Sequence, residues 1–323
     1  MVGDRTYVVD CGRSAVTQFK AALLQLTSLK AIFITHLHAD HAIDFFDFFM
    51  LGGFGLNDSN DGIVEPVDVY GPGRAGALPP PFRPGPVPTI APGNPTPGLA
   101  DLTRLQVRAF AYSTNLFLRD SGIPDPRTLL RIHEVDVPDV GADPLGPTAP
   151  PMEPFTIADD GVVMVSAVLV PHGPVFPSFA YRFDTPDGSV VFSGDTAASE
   201  NVVRLAHGAD LLVHEVIDID FYERFFGLPP ALLEHLRESH TDVTELGPLA
   251  ESAEVDTLVL THLVPADPLL VSNRQWRRNV GRGYGGRVLV GNDLLDVGVR
   301  RTAHPSRLSG ARHAAQRPGN LAG

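Results

Sequence analysis

The run Thr35-His36-Leu37-His38-Ala39-Asp40-His41 constrains this chain more than any other stretch. Three imidazoles and a carboxylate within six positions form a metal cage rather than a core. The residues just before it, Ala31-Ile32-Phe33-Ile34, have the β-branched and aromatic bias of a short buried strand. His36 and His38 follow at its end, and side chains two apart on an extended backbone point the same way, so both rings can reach one metal. Asp40 and His41 then open a helical pattern carried by Ile43, Phe45, Phe46, Phe49 and Met50, and turn toward a second metal beside the first. Neutral imidazole and carboxylate oxygen suit zinc, with iron or manganese compatible with the same geometry. The run therefore predicts a zinc hydrolase.

A chain of 323 residues can bury a full core as one large domain or two small ones. A hydrophobic content of 43% with a mean hydropathy of +0.04 fits a soluble globular protein. No apolar run approaches the roughly 20 residues that span a bilayer. Met1-Val2-Gly3-Asp4-Arg5 lacks the basic start and apolar segment of a secretory signal, so a cytoplasmic location is the expectation. Cys11 is the only cysteine, which excludes an intrachain disulfide framework and a cysteine-cluster zinc site. The metal must be held by His and Asp. Lys and Arg total 25 against 38 Asp and Glu, a net charge of −13, which argues against a partner gripped by its phosphate backbone. Arg274, Arg277, Arg278, Arg282 and Arg287 form the best candidate basic patch, read more simply as a solvated basic loop.

Along the chain, Tyr7-Val8-Val9 is extended, Asp10-Cys11-Gly12 turns, and Val16, Phe19, Leu23 and Leu26 have helical spacing. A strand-like run, Val67-Asp68-Val69-Tyr70, ends at Gly71-Pro72-Gly73, after which Gly and Pro dominate to about residue 98 and predict a long loop. Helical spacing returns over 101–122. Strand-like runs follow at Val162–Val165, Phe179–Phe183 and Ser189–Phe192, the last two joined by an Asp187-Gly188 hairpin turn. From residue 199 helices and strands alternate, with strands at Asp210–His214, Thr257–Thr261 and Arg287–Val290. The tail after about residue 303 is expected to fray. The phenylalanines at 45, 46, 48, 49 and 54 read as core, and His133, His207, His235, His304 and His313 as structural.

Three more ligand candidates share one context, the end of an apolar strand followed by a turn. They are His172 after Val163–Val170, Asp195 after Val190-Val191-Phe192, and His262 after Leu258-Val259-Leu260. Open α/β sheets place their sites at the carboxyl ends of strands, so all three belong to the rim that carries His36.

The set His36-x-His38-x-Asp40-His41, His172, Asp195 and His262 resembles the metallo-β-lactamase superfamily over about residues 7 to 298. The resemblance implies an α/β fold, an αββα sandwich, here with a Pro-rich and helical insertion at about 72–150 in a domain of 1–300, and a tail at 301–323. It implies that His36, His38 and His172 hold one metal, that Asp40, His41 and His262 hold the other, and that Asp195 bridges both. Within the superfamily, Asp10-Cys11-Gly12, Phe192-Ser193-Gly194-Asp195-Thr196, Ala209–Glu215 and Ser239-His240-Thr241 look like the ribonuclease Z and arylsulfatase branch. There a Glu like Glu215 orients a His like His240, which supports proton delivery to the leaving group.

Three departures accompany the likeness. The order Ser239-His240-Thr241-Asp242 replaces the branch's His-Ser-Thr. The superfamily domain normally starts with a strand before the Asp10 segment, whereas this chain starts almost directly at Tyr7, so either an earlier start or an incomplete first sheet is expected. The tRNA-gripping arm of ribonuclease Z enzymes commonly lies between the positions of His172 and Asp195, and here only 22 residues separate them. With the acidic balance, that short spacing argues against tRNA processing.

The expected activity is thus a binuclear hydrolase, with two zinc ions or manganese or iron in their place, acting on a small phosphate or sulfate ester. Asp40 orients the nucleophile and His240 protonates the departing oxygen. A lactone or another carboxylic ester is the alternative on the same site. A tRNA 3′-end endonuclease and a non-catalytic metal-binding scaffold rank lower. A small-molecule ester is the expected partner, nucleic acid and membrane are not, and the family likeness implies a homodimer.

Overall fold

Two β-sheets stacked face to face frame the computed structural model, which describes residues 1–50, 61–81 and 85–299. The first sheet holds β1 (Thr6–Val9), β2 (Leu29–Phe33), β3 (Val67–Pro72) and β4 (Leu130–Val135) in that order, all parallel. The second holds β5 (Phe155–Asp159), β6 (Met164–Leu169), β7 (Phe179–Thr185), β8 (Gly188–Phe192), β9 (Leu211–Ile217), β10 (Thr257–Val264) and β11 (Arg287–Val290). Its order is β11-β10-β9-β8-β7-β6-β5, antiparallel from β5 to β8 and parallel from β8 to β11.

Strand β2 shows why the sheets stack. Successive side chains alternate faces. Ala31 and Phe33 enter the core between the sheets, and Ile32 joins the apolar cluster on the outer face. A parallel strand buried on both faces has the continuous apolar run seen in the sequence. Phe33 meets Phe183 edge-on at 5.0 Å and Tyr181 at 5.7 Å, and the Tyr181 hydroxyl donates to the Ile34 carbonyl at 2.8 Å, tying one sheet to the other.

Helices cover both outer faces. Against the first sheet lie α1 (Ala15–Ala21), α2 (Ala39–Ala42), α3 (Asp47–Met50) and α4 (Leu99–Ala109), followed by α5 (Ala111–Asp120). Against the second lie α6 (Glu200–Ala206), α9 (Val243–Ser252) and α10 (Asn273–Val280), while α7 (Ile219–Phe226) and α8 (Pro230–Ser239) pack on each other. The result is an αββα sandwich. Among the described residues no helix is long and apolar enough to cross a membrane.

Several elements differ from the sequence reading. Helix α1 stops at Ala21, because Leu23 takes a left-handed φ of 61° and is exposed, and Leu26 falls in a separate 3-10 turn. The pattern from Asp40 to Met50 is split into α2 and α3. Strand β5 carried no clear alternation signal because it is a half-buried edge. Strand β4 lies inside the stretch expected as an insertion, yet it pairs with β3 from Val67↔Leu130 to Pro72↔Val135. The basic stretch expected as a loop begins with a helix, α10, whose Ser272 and Gln275 form a capping box and whose Trp276 and Val280 are buried four residues apart. Phe45, Phe46, Phe48 and Phe49 are core. The readings of Phe54, His304, His313 and the tail fall outside the described residues.

Candidate metal centre

The strands deliver their ligands to one rim. His36 and His38 lie just past the end of β2, and α2 begins directly after His38, so Asp40 and His41 turn back over the same point. His172 follows β6, Asp195 follows β8, and Glu215 lies near the end of β9. His262 sits inside β10 at a bulge, where the register with β9 shifts between Thr261 and Leu263 and its φ is 44°. The bulge re-aims one side chain out of the ladder. Two glycines permit the close approach of these segments. A Cβ on Gly12 would lie 2.0 Å from the Asp40 carbonyl, and one on Gly194 would lie 2.8 Å from the Phe179 carbonyl.

All seven residues expected as ligands come together. Ligand atoms of His36, His38 and His172 lie within 4.8 Å of one another, as do those of Asp40, His41 and His262 and those of His36, His41 and Asp195. Asp195 Oδ2 stands between the two triads, 3.4 Å from His41 Nε2, 3.5 Å from His262 Nε2 and 3.9 Å from His172 Nε2. His172 Nε2 and His38 Nδ1 face each other at 3.3 Å, and His262 Nε2 lies 3.5 Å from Asp40 Oδ2.

The rings are held from behind by residues that the sequence reading did not assign. His41 Nδ1 donates to Asp10 Oδ2 at 2.7 Å. His172 Nδ1 donates to the Ser239 carbonyl at 2.7 Å. His36 Nδ1 lies 3.1 Å from Thr35 Oγ1, whose own hydroxyl donates to Asp10 Oδ2 at 2.8 Å. Fixing a proton on Nδ1 leaves the Nε2 lone pair pointing into the cluster, the usual outer support of a metal-binding histidine. Asp10 thus positions two of the candidate ligands, His41 directly and His36 through Thr35. The Asp10-Cys11-Gly12 motif flagged its place but not its role.

The donor atoms fit a divalent cation. His36 Nε2, His41 Nε2 and Asp195 Oδ1 are buried without a hydrogen-bond partner, an arrangement that is costly unless something fills it. Burial, reinforced by the neighbouring imidazoles, pushes His36 far below the usual histidine range, and burial takes His172 down to about 4. Burial alone would raise Asp195, but His41, His262 and His36 hold it far below the carboxylate range. Neutral imidazole and ionised carboxylate are the forms that ligate metal. His41 differs: burial lowers its pKa, but Asp10 and Asp195 outweigh burial and raise it to about 10. The anionic field that holds a proton there also draws a cation.

Beside this cluster, Glu215 is fully buried and accepts from the Thr241 N–H at 2.8 Å and the Thr196 N–H at 3.3 Å. Its Oε1 lies 3.4 Å from His240 Nδ1, an ion-pair distance rather than a tight hydrogen bond. His240 is the residue that follows the end of α8. Burial lowers its pKa, but the Glu215 carboxylate overcomes that and the net shift is upward, whereas burial raises Glu215 itself.

A family model described as anti-Pycsar protein Apyc1 matches residues 1–50. The ribonuclease Z of Mycolicibacterium paratuberculosis is 30% identical over 305 residues, covering 92% of this chain and 89% of that protein. Among solved structures, human tRNase Z short form superposes with a TM-score of 0.58 at 19% identity, covering 93% of this chain and 91% of its own. The metallo-β-lactamase fold protein YhfI from Bacillus subtilis gives 0.52 at 16%, covering 91% and 87%. These matches overturn two expectations, the preference for a small phosphate, sulfate or carboxylic ester over RNA and the exclusion of nucleic acid as partner. Both had rested on net charge, which sums over the whole surface, and on the short β7–β8 hairpin, which bears only on an arm at that one place. At that identity and coverage, the chain belongs to the ribonuclease Z family, metal-dependent hydrolases of metallo-β-lactamase fold.

Proposed function

We propose that this protein is an RNA phosphodiesterase that cuts precursor tRNA at its 3′ side, using two divalent cations. Zinc suits the donor set best, and manganese or iron(II) can occupy the same ligands. The observation that carries the reading is the position of Asp195 Oδ2 between His41, His262 and His172, with the Glu215–His240 pair opening onto the same cluster. His36, His38 and His172 would hold one cation, Asp40, His41 and His262 the other, and Asp195 both. The ribonuclease Z relatives, matched over nearly the whole chain, support RNA as the substrate.

Bound cations supply Lewis acidity toward the phosphoryl oxygens and, for zinc, lower the pKa of water to about 7. The chain's own residues do the remaining work. Asp40, whose side chain is 65% exposed on the open side of the cluster, orients the attacking water and accepts its hydrogen bond. His240, whose pKa the Glu215 carboxylate raises, gives its proton to the ribose oxygen that departs as the P–O bond breaks. Buried Glu215, anchored by two backbone N–H groups, sets the ring's direction.

The direct test incubates purified protein, loaded with zinc or manganese, with precursor tRNA carrying a 3′ trailer. Trailer release that is abolished by His38→Ala is expected. Precursor left intact by fully loaded protein would refute the proposal.

A further inference from the structure

Most cationic side chains in the described residues stand beside a carboxylate: Arg5 with Asp160, Lys30 with Glu65, Arg74 and Arg104 with Asp101, Arg131 with Asp68, Arg237 with Glu223. Arg13, Arg108, Arg119 and Arg204 are scattered exceptions among the described residues, and one stretch concentrates the rest. Arg274, Arg277, Arg278, Arg282 and Arg287 are all exposed, and none has a carboxylate partner among the described residues. No Asp or Glu occurs between Asp267 and Asp293, in a chain of net charge −13. Unpaired charge concentrated in this way is an electrostatic footprint for a polyanion.

The fold gives this footprint a direction. Trp276 and Val280 seat α10, which turns Arg274, Arg277 and Arg278 outward. The helix connects the end of β10 to the start of β11, and these strands are parallel, so α10 runs from the rim that carries His262 toward the opposite rim. Eight residues at 1.5 Å each cover about 12 Å. Arg282 and Arg287 continue the line to the first residue of β11. A cavity of about 820 Å³ has both His262 and Asn273, the first residue of α10, on its wall. Asp293 and Asp296 also line it and repel phosphate, which leaves the α10 side as the path. Helix stability explains only part of the pattern: Arg277 and Arg278 lie in the last turn, where a cation favours the helix dipole, whereas Arg274 sits in the first turn, where it opposes the dipole, and Arg282 and Arg287 lie beyond the helix.

We infer that α10 and the turn after it form a track for the phosphate backbone of the RNA substrate's duplex stem, leading away from the metal cluster. This rests on the RNA reading above. Guanidinium groups donate two hydrogen bonds to a phosphate in a fixed fork, so the arginines would hold the stem while its 3′ strand enters the cluster.

The test is cleavage kinetics of the zinc-loaded protein on trailer-bearing precursor tRNA between 50 and 300 mM KCl, a span over which phosphate contacts weaken strongly (about 10³-fold or more for six to ten contacts). The double variant Arg277→Gln/Arg278→Gln is expected to raise KM about 10-fold or more and leave kcat within about 2-fold. Each lost contact should flatten the slope of log(kcat/KM) against log[KCl] by about 1. Arg277→Lys/Arg278→Lys should retain most of the slope, and Arg224→Gln, a surface arginine paired with Asp220, should change nothing. Unchanged KM and slope in the glutamine variant, with the parent cleaving normally, refute the track alone. A parent that leaves the precursor intact refutes the RNA reading and the track together.

Discussion

Asp10→Asn isolates the role of one carboxylate that touches no metal ligand atom directed into the cluster. Asp10 accepts from the Thr35 N–H at 2.7 Å, the Thr35 hydroxyl at 2.8 Å and His41 Nδ1 at 2.7 Å. Its φ is 59°, and Asn tolerates that left-handed conformation as Asp does, so the backbone is undisturbed. If the amide oxygen keeps the Thr35 N–H, the NH2 group faces His41 Nδ1 and the Thr35 hydroxyl, donor against donor. His41 escapes by moving its proton to Nε2, the atom aimed at Asp195. The Thr35 hydroxyl, now an acceptor from Asn, turns its hydrogen toward His36 Nδ1 and disturbs a second ligand. Loss of such outer support typically reduces metal affinity about 10- to 100-fold, and one unsatisfied buried donor costs about 1–3 kcal/mol of stability. Competition with a chromophoric chelator measures the first, and urea unfolding of the metal-free protein measures the second. Zinc affinity within about twofold of the parent would show that Asp10 does not set the tautomer of His41.

Other residues offer independent checks. With chelator present, His262→Gly should be more stable than His262→Ala by about 1 kcal/mol, because only glycine accepts a φ of 44° without strain; equal melting of the two would contradict the bulge geometry. Glu215→Gln should lower RNA cleavage about 10- to 100-fold at unchanged metal content, and loss of bound metal in that variant would count against a positioning role. Burial alone would raise Asp160, but hydrogen bonds from Tyr7, the Val163 and Val162 N–H groups and Arg5 bring its pKa down to about 2. A depressed carboxylate contributes stability above its unfolded value near 4, lost as pH falls through about 2. Discounted for a side chain 36% exposed, that is about 1 kcal/mol; Asp160→Asn should remove this amount at pH 7 and little of it at pH 2, and equal losses at both would exclude the linkage.

The parts legible in the sequence were those whose signal is local. The continuous apolar run of Ala31, Ile32, Phe33 and Ile34 marked β2, and the apolar runs ending at His172, Asp195 and His262 placed those residues on the rim where the structure has them. What stayed hidden depends on partners far along the chain. Strand β5 is defined by its ladder to β6 and not by its own half-buried pattern. Asp10 acquires its role only because β1 lies beside β2, which brings it under Thr35 and His41. The arginines of 274–287 outweighed in reading the two apolar anchors, Trp276 and Val280, that make the stretch a helix.

The misreading of the substrate has a physical cause. Net charge governs solubility and long-range approach, whereas the grip on a phosphate backbone is set by charges within about one Debye length, roughly 8–10 Å in physiological salt. Acidic groups beyond that distance are screened. Many in this chain are also locally neutralised, as Asp101 is by Arg74 and Arg104 and Asp68 is by Arg131. Such pairs add little to the potential at α10, while the arginines there form no ion pair among the described residues and the Glu251 carboxylate beside them accepts from the Gly285 N–H. A whole-chain charge of −13 and a surface that holds RNA are therefore compatible, and the charge that decides the partner is the one counted over the face beside the metal cluster.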